Sequence, residues 1–340
     1  MNETVVLLIQ LGTPDSPSVS DVRKYLSEFL NDPRVIDLPW LARKLLVNGI
    51  IVPFRAPKSA KIYQQLWKIG NGTSPLLTYS NQLKEKLTKE LSQYHIDVEL
   101  AMRYQNPSME DVLLQIKKKN YKKIILLPLF PQYASASTGS AFEKAFEIIK
   151  KWWVIPEIHC VHQFYNNEKY LEAVIAQAKQ LNLVDFDHIL FSYHGLPVRQ
   201  VDKVYEDGLC KDHNCENEIT EENKFCYKAC CYETTRLLAK KLQLNENQYT
   251  VCFQSRLDKN WLEPFSDKVI VNLAKKGNKK IAVFSPAFVA DCLETIIEIG
   301  EEYQILFKEN GGEKIQLIPS VNADNLFVDA LKELVLKAGG

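Results

Sequence analysis

Short apolar runs recur along the chain, each closed by a Gly, Pro or charged turn and followed by a stretch with helical spacing. Strands are expected over 5–10, 97–103, 123–127, 157–164, 188–193, 249–254, 280–284 and 314–319. Helices are expected near 18–30, 57–67, 76–93, 109–119, 137–150, 168–180, 227–242, 265–276, 291–307 and 323–338. Strands alternating with helices in this way predict an α/β protein with doubly wound parallel sheets.

The pattern also repeats. LLIQLGTP (7–14) matches ILFSYHGLP (189–197) as an apolar strand that runs into Gly-x-Pro. VLLQIKKKNYKKIILLP (112–128) matches VIVNLAKKGNKKIAVFSP (269–286) as helix, basic turn, strand and Pro, and ELAMRYQNP (99–107) stands to the first as TVCFQSR (250–256) stands to the second. Three ordered matches imply two similar halves with a ligand between them. The expected division is a first Rossmann-like domain over 1–166, a second over 167–322, and a last helix over 323–340 that folds back onto the first.

Composition then sets limits. With 340 residues, 46% of them hydrophobic, the chain can fill two cores of about 150 residues each. Its 42 basic and 42 acidic residues cancel, so no overall field draws it to nucleic acid. The opening MNETVVLLIQLGTPD lacks a basic segment and a cleavage site and reads as a strand, and no run of about 20 apolar residues occurs. These features predict a cytoplasmic protein whose eight cysteines are thiols or metal ligands.

Two segments carry candidate chemistry. FSYHGLP (191–197) places His194 at the C-terminal end of a strand, the edge where α/β sheets bind ligands. The strand before SPAFVADCLETIIEIGEEY (285–303) leads into an acidic helix on which Asp291, Glu294, Glu298 and Glu302 follow helical spacing and share one face. Stacked like charges repel, so such a column suits a positive partner: a proton or a metal ion. A neutral imidazole accepts protons and binds borderline-soft metals.

Taken in order, LGTP (11–14), GTSPL (72–76), RYQNPS (103–108), PLFPQYASASTGSA (128–141), SYHGLPVR (192–199), FQSR with WLEP (253–256, 261–264) and SPAFVADCLET (285–295) resemble the ferrochelatases over nearly the whole chain. The resemblance implies two Rossmann-like domains with a porphyrin cleft between them, and insertion of ferrous iron into protoporphyrin IX, the terminal step of haem synthesis. It implies that His194 and Glu294 face each other across the ring, as catalytic residues and as ligands of the substrate iron, with Asp291, Glu298 and Glu302 as an acidic relay. Leu11, Arg55, Tyr63, Arg103, Tyr133, Ser140 and Trp261 are the ring or propionate contacts it points to. The segment 37–63, with Trp40, Leu41, Leu45, Leu46, Ile50 and Phe54, matches an apolar lip over the pocket that carries a peripheral contact with the inner face of the membrane. Monomer and homodimer are both open. The competing functions are another tetrapyrrole chelatase, acting on coproporphyrin or with cobalt, and a non-catalytic bilobal porphyrin- or metal-binding protein.

Between SYHGLPVR and YETTRLLAKKL stands an insert, 204–231, with Cys210, Cys215, Cys226, Cys230 and Cys231. So many thiols in a polar loop are not packing residues. Four thiolates suit an iron–sulfur cluster or zinc, and the spacing lacks the close C-x2-C pairs of structural zinc. Some ferrochelatases carry a [2Fe–2S] cluster on such an insert, which makes the cluster the expected cofactor and structural zinc the alternative. Cys231 opens a C-x-x-T step that relatives share, so Cys210, Cys215, Cys226 and Cys231 are the expected ligands.

Overall fold

The computed structural model describes residues 2–179 and 181–339. It contains all eight expected strands, arranged as two four-stranded parallel sheets with helices packed on them. In the first, β1 (Thr4–Gly12), β2 (Ile96–Tyr104), β3 (Lys123–Pro128) and β4 (Glu157–Cys160) lie in the order β2-β1-β3-β4. In the second, β5 (His188–His194), β6 (Tyr249–Gln254), β7 (Lys280–Phe284) and β8 (Lys314–Leu317) lie in the order β6-β5-β7-β8. Central strands such as Val5–Ile9 are apolar at every position because helices cover both faces of a parallel sheet, and all five of those residues are fully buried. One core packs Val5, Leu7 and Ile9 against Val112, Leu113 and Phe142; the other packs Leu190, Ile281 and Val283 against Ile270, Ile299 and Phe307.

The repeat read from the sequence is a structural one, strand for strand. At the end of β2 the Met102 N–H donates to the Pro107 carbonyl, and at the end of β6 the Phe253 N–H donates to the Pro264 carbonyl, both at 2.8 Å. Gln105 and Ser255, which follow these strands, both adopt positive φ. β4 and β8 stop short of their expected ends because the pairing stops there. Leu126↔Cys160 and Val283↔Leu317 are the last register pairs, and Val161 and Ile318 each add one further bond to the neighbouring strand.

The chain divides into two compact units, one of Met1–Phe130, Ser135–His162 and Val328–Gly340, the other of Pro131–Ala134 and Gln163–Phe327. In the first, Lys332 of the last helix (Asn325–Gly339) pairs with Glu90 at 2.8 Å.

Three helices depart from expectation. The one expected over 168–180 ends at Ala176, and Gln180 lies outside the described residues. The one expected over 57–67 instead runs from Trp40 to Ile69, with a π-helical segment Leu45–Ile51 inside it. Pro53 can neither donate an N–H nor sit comfortably over the carbonyl four residues back, and a wide turn just before it eases both. The acidic helix is also π-helical over Glu294–Tyr303, and it starts after Asp291. Asp291 therefore does not share a helical face with the glutamates.

Candidate active site and thiol centre

In each sheet the strand order reverses at the central strand, between β1 and β3 and between β5 and β7. Ligands of open α/β sheets bind at such a switch point, beyond the carboxyl ends of the strands. His194 is the last residue of β5, and the segment that follows β7 carries Glu294.

Gly195 lets the chain turn sharply after His194. A Cβ there would stand 2.8 Å from the Gln254 carbonyl oxygen and 3.3 Å from the Trp261 ring. That closeness allows the Gly195 N–H to donate to the Gln254 carbonyl at 2.8 Å. Gly12, its counterpart at the end of β1, comes close to the Tyr104 carbonyl and adopts φ +117°. The half-buried His194 ring lies near Trp261 and Phe288, with centroids 6.5 and 6.3 Å away. Its Nδ1 is 2.6 Å from the Gly195 carbonyl oxygen. A carbonyl only accepts, so Nδ1 carries the proton, and the Nε2 lone pair is left for a proton or a metal.

The acidic residues have separate surroundings. Asp291 is buried, and its carboxylate accepts from the Ser320 N–H at 3.0 Å and the Asn322 side chain at 2.8 Å, with the Thr295 hydroxyl 3.2 Å away. Glu298 accepts four donors: the Ser255 N–H, the Ser255 hydroxyl, the Tyr303 hydroxyl and the Gln254 side-chain amide. Both carboxylates are filled with donors and brace the segments that supply them. The Glu294 carboxylate lies against the Cys292 thiol, which burial and then the Glu294 charge push well up. Glu302 is exposed, and partial burial followed by the charges of Glu298 and Glu301 raises its pKa. Of the expected relay, Glu294 and Glu302 alone are not braced in this way.

The expected ring contacts divide between the units. Trp261 stands beside His194, and Tyr133 makes an edge contact with Phe225 at 5.7 Å. In the first unit Leu11 is half-buried and Arg55 exposed, whereas Tyr63 is buried between Tyr25 and Trp67. Arg103 and Ser140 are committed to Asp32, a buried carboxylate that sequence reasoning missed. Asp32 accepts from Arg103 Nη2 at 2.6 Å, from the Tyr104 hydroxyl at 2.8 Å and from the Ser140 hydroxyl, and Arg103 Nε donates to Ser140 Oγ at 2.6 Å. A notch of about 530 Å³ opens over this network, but Lys24, Lys44, Lys144, Glu28, Glu143 and Glu147 line it with both signs of charge. An apolar ring needs a different lining. Trp40, Leu41, Leu45, Ile50 and Phe54 of the long helix are all more than half exposed, while Val47, Val52, Ala56 and Ala60 on its other side are buried.

The insert gathers thiols in the second unit. The sulfurs of Cys210, Cys215 and Cys226 lie 3.8–3.9 Å apart, and all three residues are buried. The Tyr205 hydroxyl is 2.9 Å from the Cys215 sulfur, and its ring stacks on His213 with centroids 3.8 Å apart. The Cys210 and Cys226 thiols, followed by Tyr205 and Lys228, lower the Cys215 pKa. Such a donor set fits a thiophilic metal.

Neither Cys231, the expected fourth ligand, nor Cys230 is part of this group. Cys226 immediately precedes the helix Tyr227–Lys241, and Cys231 is a turn and a third along it, turned into the core. Burial, then the Cys230 thiol, pushes the Cys231 thiol up, and its charge acts on the buried Tyr170, Tyr193 and Tyr227. Cys230 follows Cys226 by one helical turn. Its N–H donates to the Cys226 carbonyl at 3.0 Å, its sulfur is 3.3 Å from the Lys224 carbonyl, and burial with the Cys226 and Cys215 charges pushes its thiol up.

Comparison with known proteins adds a family. A family model described as Ferrochelatase matches residues 3–338. Proteins named ferrochelatase from Coxiella burnetii (strain CbuK_Q154) and Legionella pneumophila (strain Lens) are each 43% identical to this chain. The first match covers 99% of this chain and 94% of the relative, the second 97% and 98%. Among solved structures, SirB from Bacillus subtilis with Fe3+ matches at a TM-score of 0.55 and 13% identity, over 99% of this chain and 95% of that one. At that identity it bears on the fold alone. No helix among the described residues is long and apolar enough to cross a membrane.

Proposed function

The chain belongs to the ferrochelatase family, and from that premise we propose that it inserts ferrous iron into protoporphyrin IX with His194 and Glu294 as the residues that handle protons and metal. The reaction takes Fe2+ and a free-base porphyrin to the iron porphyrin and releases two pyrrole protons. The His194 Nε2 lone pair accepts a proton or meets the incoming metal, and the Glu294 carboxylate acts on the other. The observation that supports these roles is the Nδ1 contact with the Gly195 carbonyl, which fixes the tautomer and frees Nε2. Trp261 and Phe288 offer aromatic edges to a ring in front of His194. The exposed apolar face from Trp40 to Phe54 suits the lip, a less polar porphyrin and a peripheral membrane contact. Anaerobic turnover of Fe2+ and protoporphyrin, followed by haem absorbance, tests the reaction.

The thiol group of the insert holds a metal centre in this reading, with Cys210, Cys215 and Cys226 as three of its ligands and Cys230 as the fourth. A [2Fe–2S] cluster is the form we put forward. Bound metal would cross-link an insert that has little apolar core of its own. Zinc remains the second reading because of one observation: thiols mutually 3.8–3.9 Å apart match the edge of a sulfur tetrahedron, roughly 3.8 Å for metal–sulfur bonds of about 2.3 Å. Iron, sulfide and zinc analysis of the purified protein decides between them.

A further inference from the structure

We infer that Gln254 is a positioning residue for metallation, holding the His194 turn and the Glu294 helix in one geometry. This inference rests on the reading that His194 and Glu294 act on the porphyrin.

Gln254 ends β6 and pairs with His194 across the sheet. It is 1% exposed. Its backbone carbonyl accepts from the Gly195 N–H at 2.8 Å, which fixes the turn that carries the imidazole. Its side-chain nitrogen donates to the Glu294 backbone carbonyl at 3.0 Å and to Glu298 Oε2 at 3.1 Å. Its side-chain oxygen accepts from the Ser192 hydroxyl at 2.8 Å, on the same strand as His194. One buried amide therefore joins the strand that bears His194 to the first turn of the π-helix that bears Glu294.

The amide is chemically suited to this task. It presents two donors and an acceptor, and the three contacts use them in a single orientation. Glu298 accepts a neutral donor from it, while the Ser255 and Tyr303 groups fill the rest of that carboxylate. Fully satisfied buried networks specify one arrangement, and misplacing a reacting group by about 1 Å can cost on the order of 100-fold in rate.

The test uses the full-length protein with Gln254→Met and Gln254→Glu. Methionine keeps length and bulk but loses every donor and the acceptor. It is expected to lower kcat at least about tenfold, with porphyrin affinity, read by fluorescence quenching, within about threefold. Glutamate keeps the acceptor for Ser192 but turns an anionic oxygen toward Glu298, near Glu294 and Tyr303. Its kcat relative to wild type is expected to rise as pH falls from about 8 to about 6, as the new carboxyl regains a proton to donate. A merely structural amide would not produce that pH signature. Wild-type kcat in folded Gln254→Met, or a flat ratio for Gln254→Glu, overturns the inference. If instead His194→Ala retains full activity, the underlying assignment of the site fails.

Discussion

Cys230 stands one helical turn beyond Cys226, its N–H bonded to the Cys226 carbonyl at 3.0 Å, while Cys231 faces the buried tyrosines Tyr170, Tyr193 and Tyr227. Residues four apart on a helix share a face, and residues five apart do not. Cys→Ser at 210, 215, 226 or 230 should therefore strip the bound metal. Cys231→Ser should keep it and lower stability by about 1–3 kcal/mol, through a hydroxyl buried among apolar groups. Metal analysis and the visible spectrum check this, and a metal-free Cys231→Ser protein beside a loaded Cys230→Ser protein reverses the assignment.

The acidic residues separate by role. Glu294→Gln should abolish metallation while porphyrin still binds. Asp291→Asn and Glu298→Gln should act mainly on stability, because both carboxylates brace backbone and side-chain donors. Loss of one brace is worth about 1–3 kcal/mol. Turnover per folded molecule, set beside urea unfolding, separates the two effects. Equal turnover in all three variants would mean that Glu294 has no special role.

Arg103 and Asp32 form a buried pair, with side chains 13% and 1% exposed. Removing one partner from such a pair typically costs about 3–5 kcal/mol. Asp32→Ala should lower the urea midpoint accordingly. Arg103→Leu should reduce stability more than porphyrin affinity, and the opposite order would return Arg103 to a propionate-binding role.

His188 is half-buried, and burial followed by the nearby Lys276 charge lowers its pKa from 6.5. The folded protein therefore binds this proton less readily than the unfolded chain. Its contribution to stability is intact above pH 6.5 and is lost as pH falls through the lower folded value. His188→Gln, which keeps a partner for the Thr250 hydroxyl, should flatten the fall in unfolding free energy on acidification. An unchanged slope contradicts this.

The fold was largely legible because strand positions depend on local apolar runs, and every expected strand is present. The Gly-x-Pro repeat was legible for the same reason: Gly12 and Gly195 answer to close backbone approach, a local demand. The site was less so. Asp291 looks like one member of a helical column, but its partners Ser320 and Asn322 lie far along the chain. Nothing near Arg103 in sequence announces Asp32 as the carboxylate that occupies it. Gln254 sits in the quoted FQSR motif, but only the tertiary contacts to Ser192, Glu294 and Glu298 give it a role. The long helix from Trp40 was hidden because its prolines read as a start signal.

The most direct measurement compares wild type with His194→Ala in anaerobic insertion of Fe2+ into protoporphyrin, with porphyrin binding measured on the same samples. Wild type is expected to form haem in this assay. His194→Ala is expected to fold, bind porphyrin with little change and lose at least about 100-fold in rate. A His194→Ala rate within about tenfold of wild type, at unchanged porphyrin affinity, would contradict the central claim that this imidazole carries the reaction.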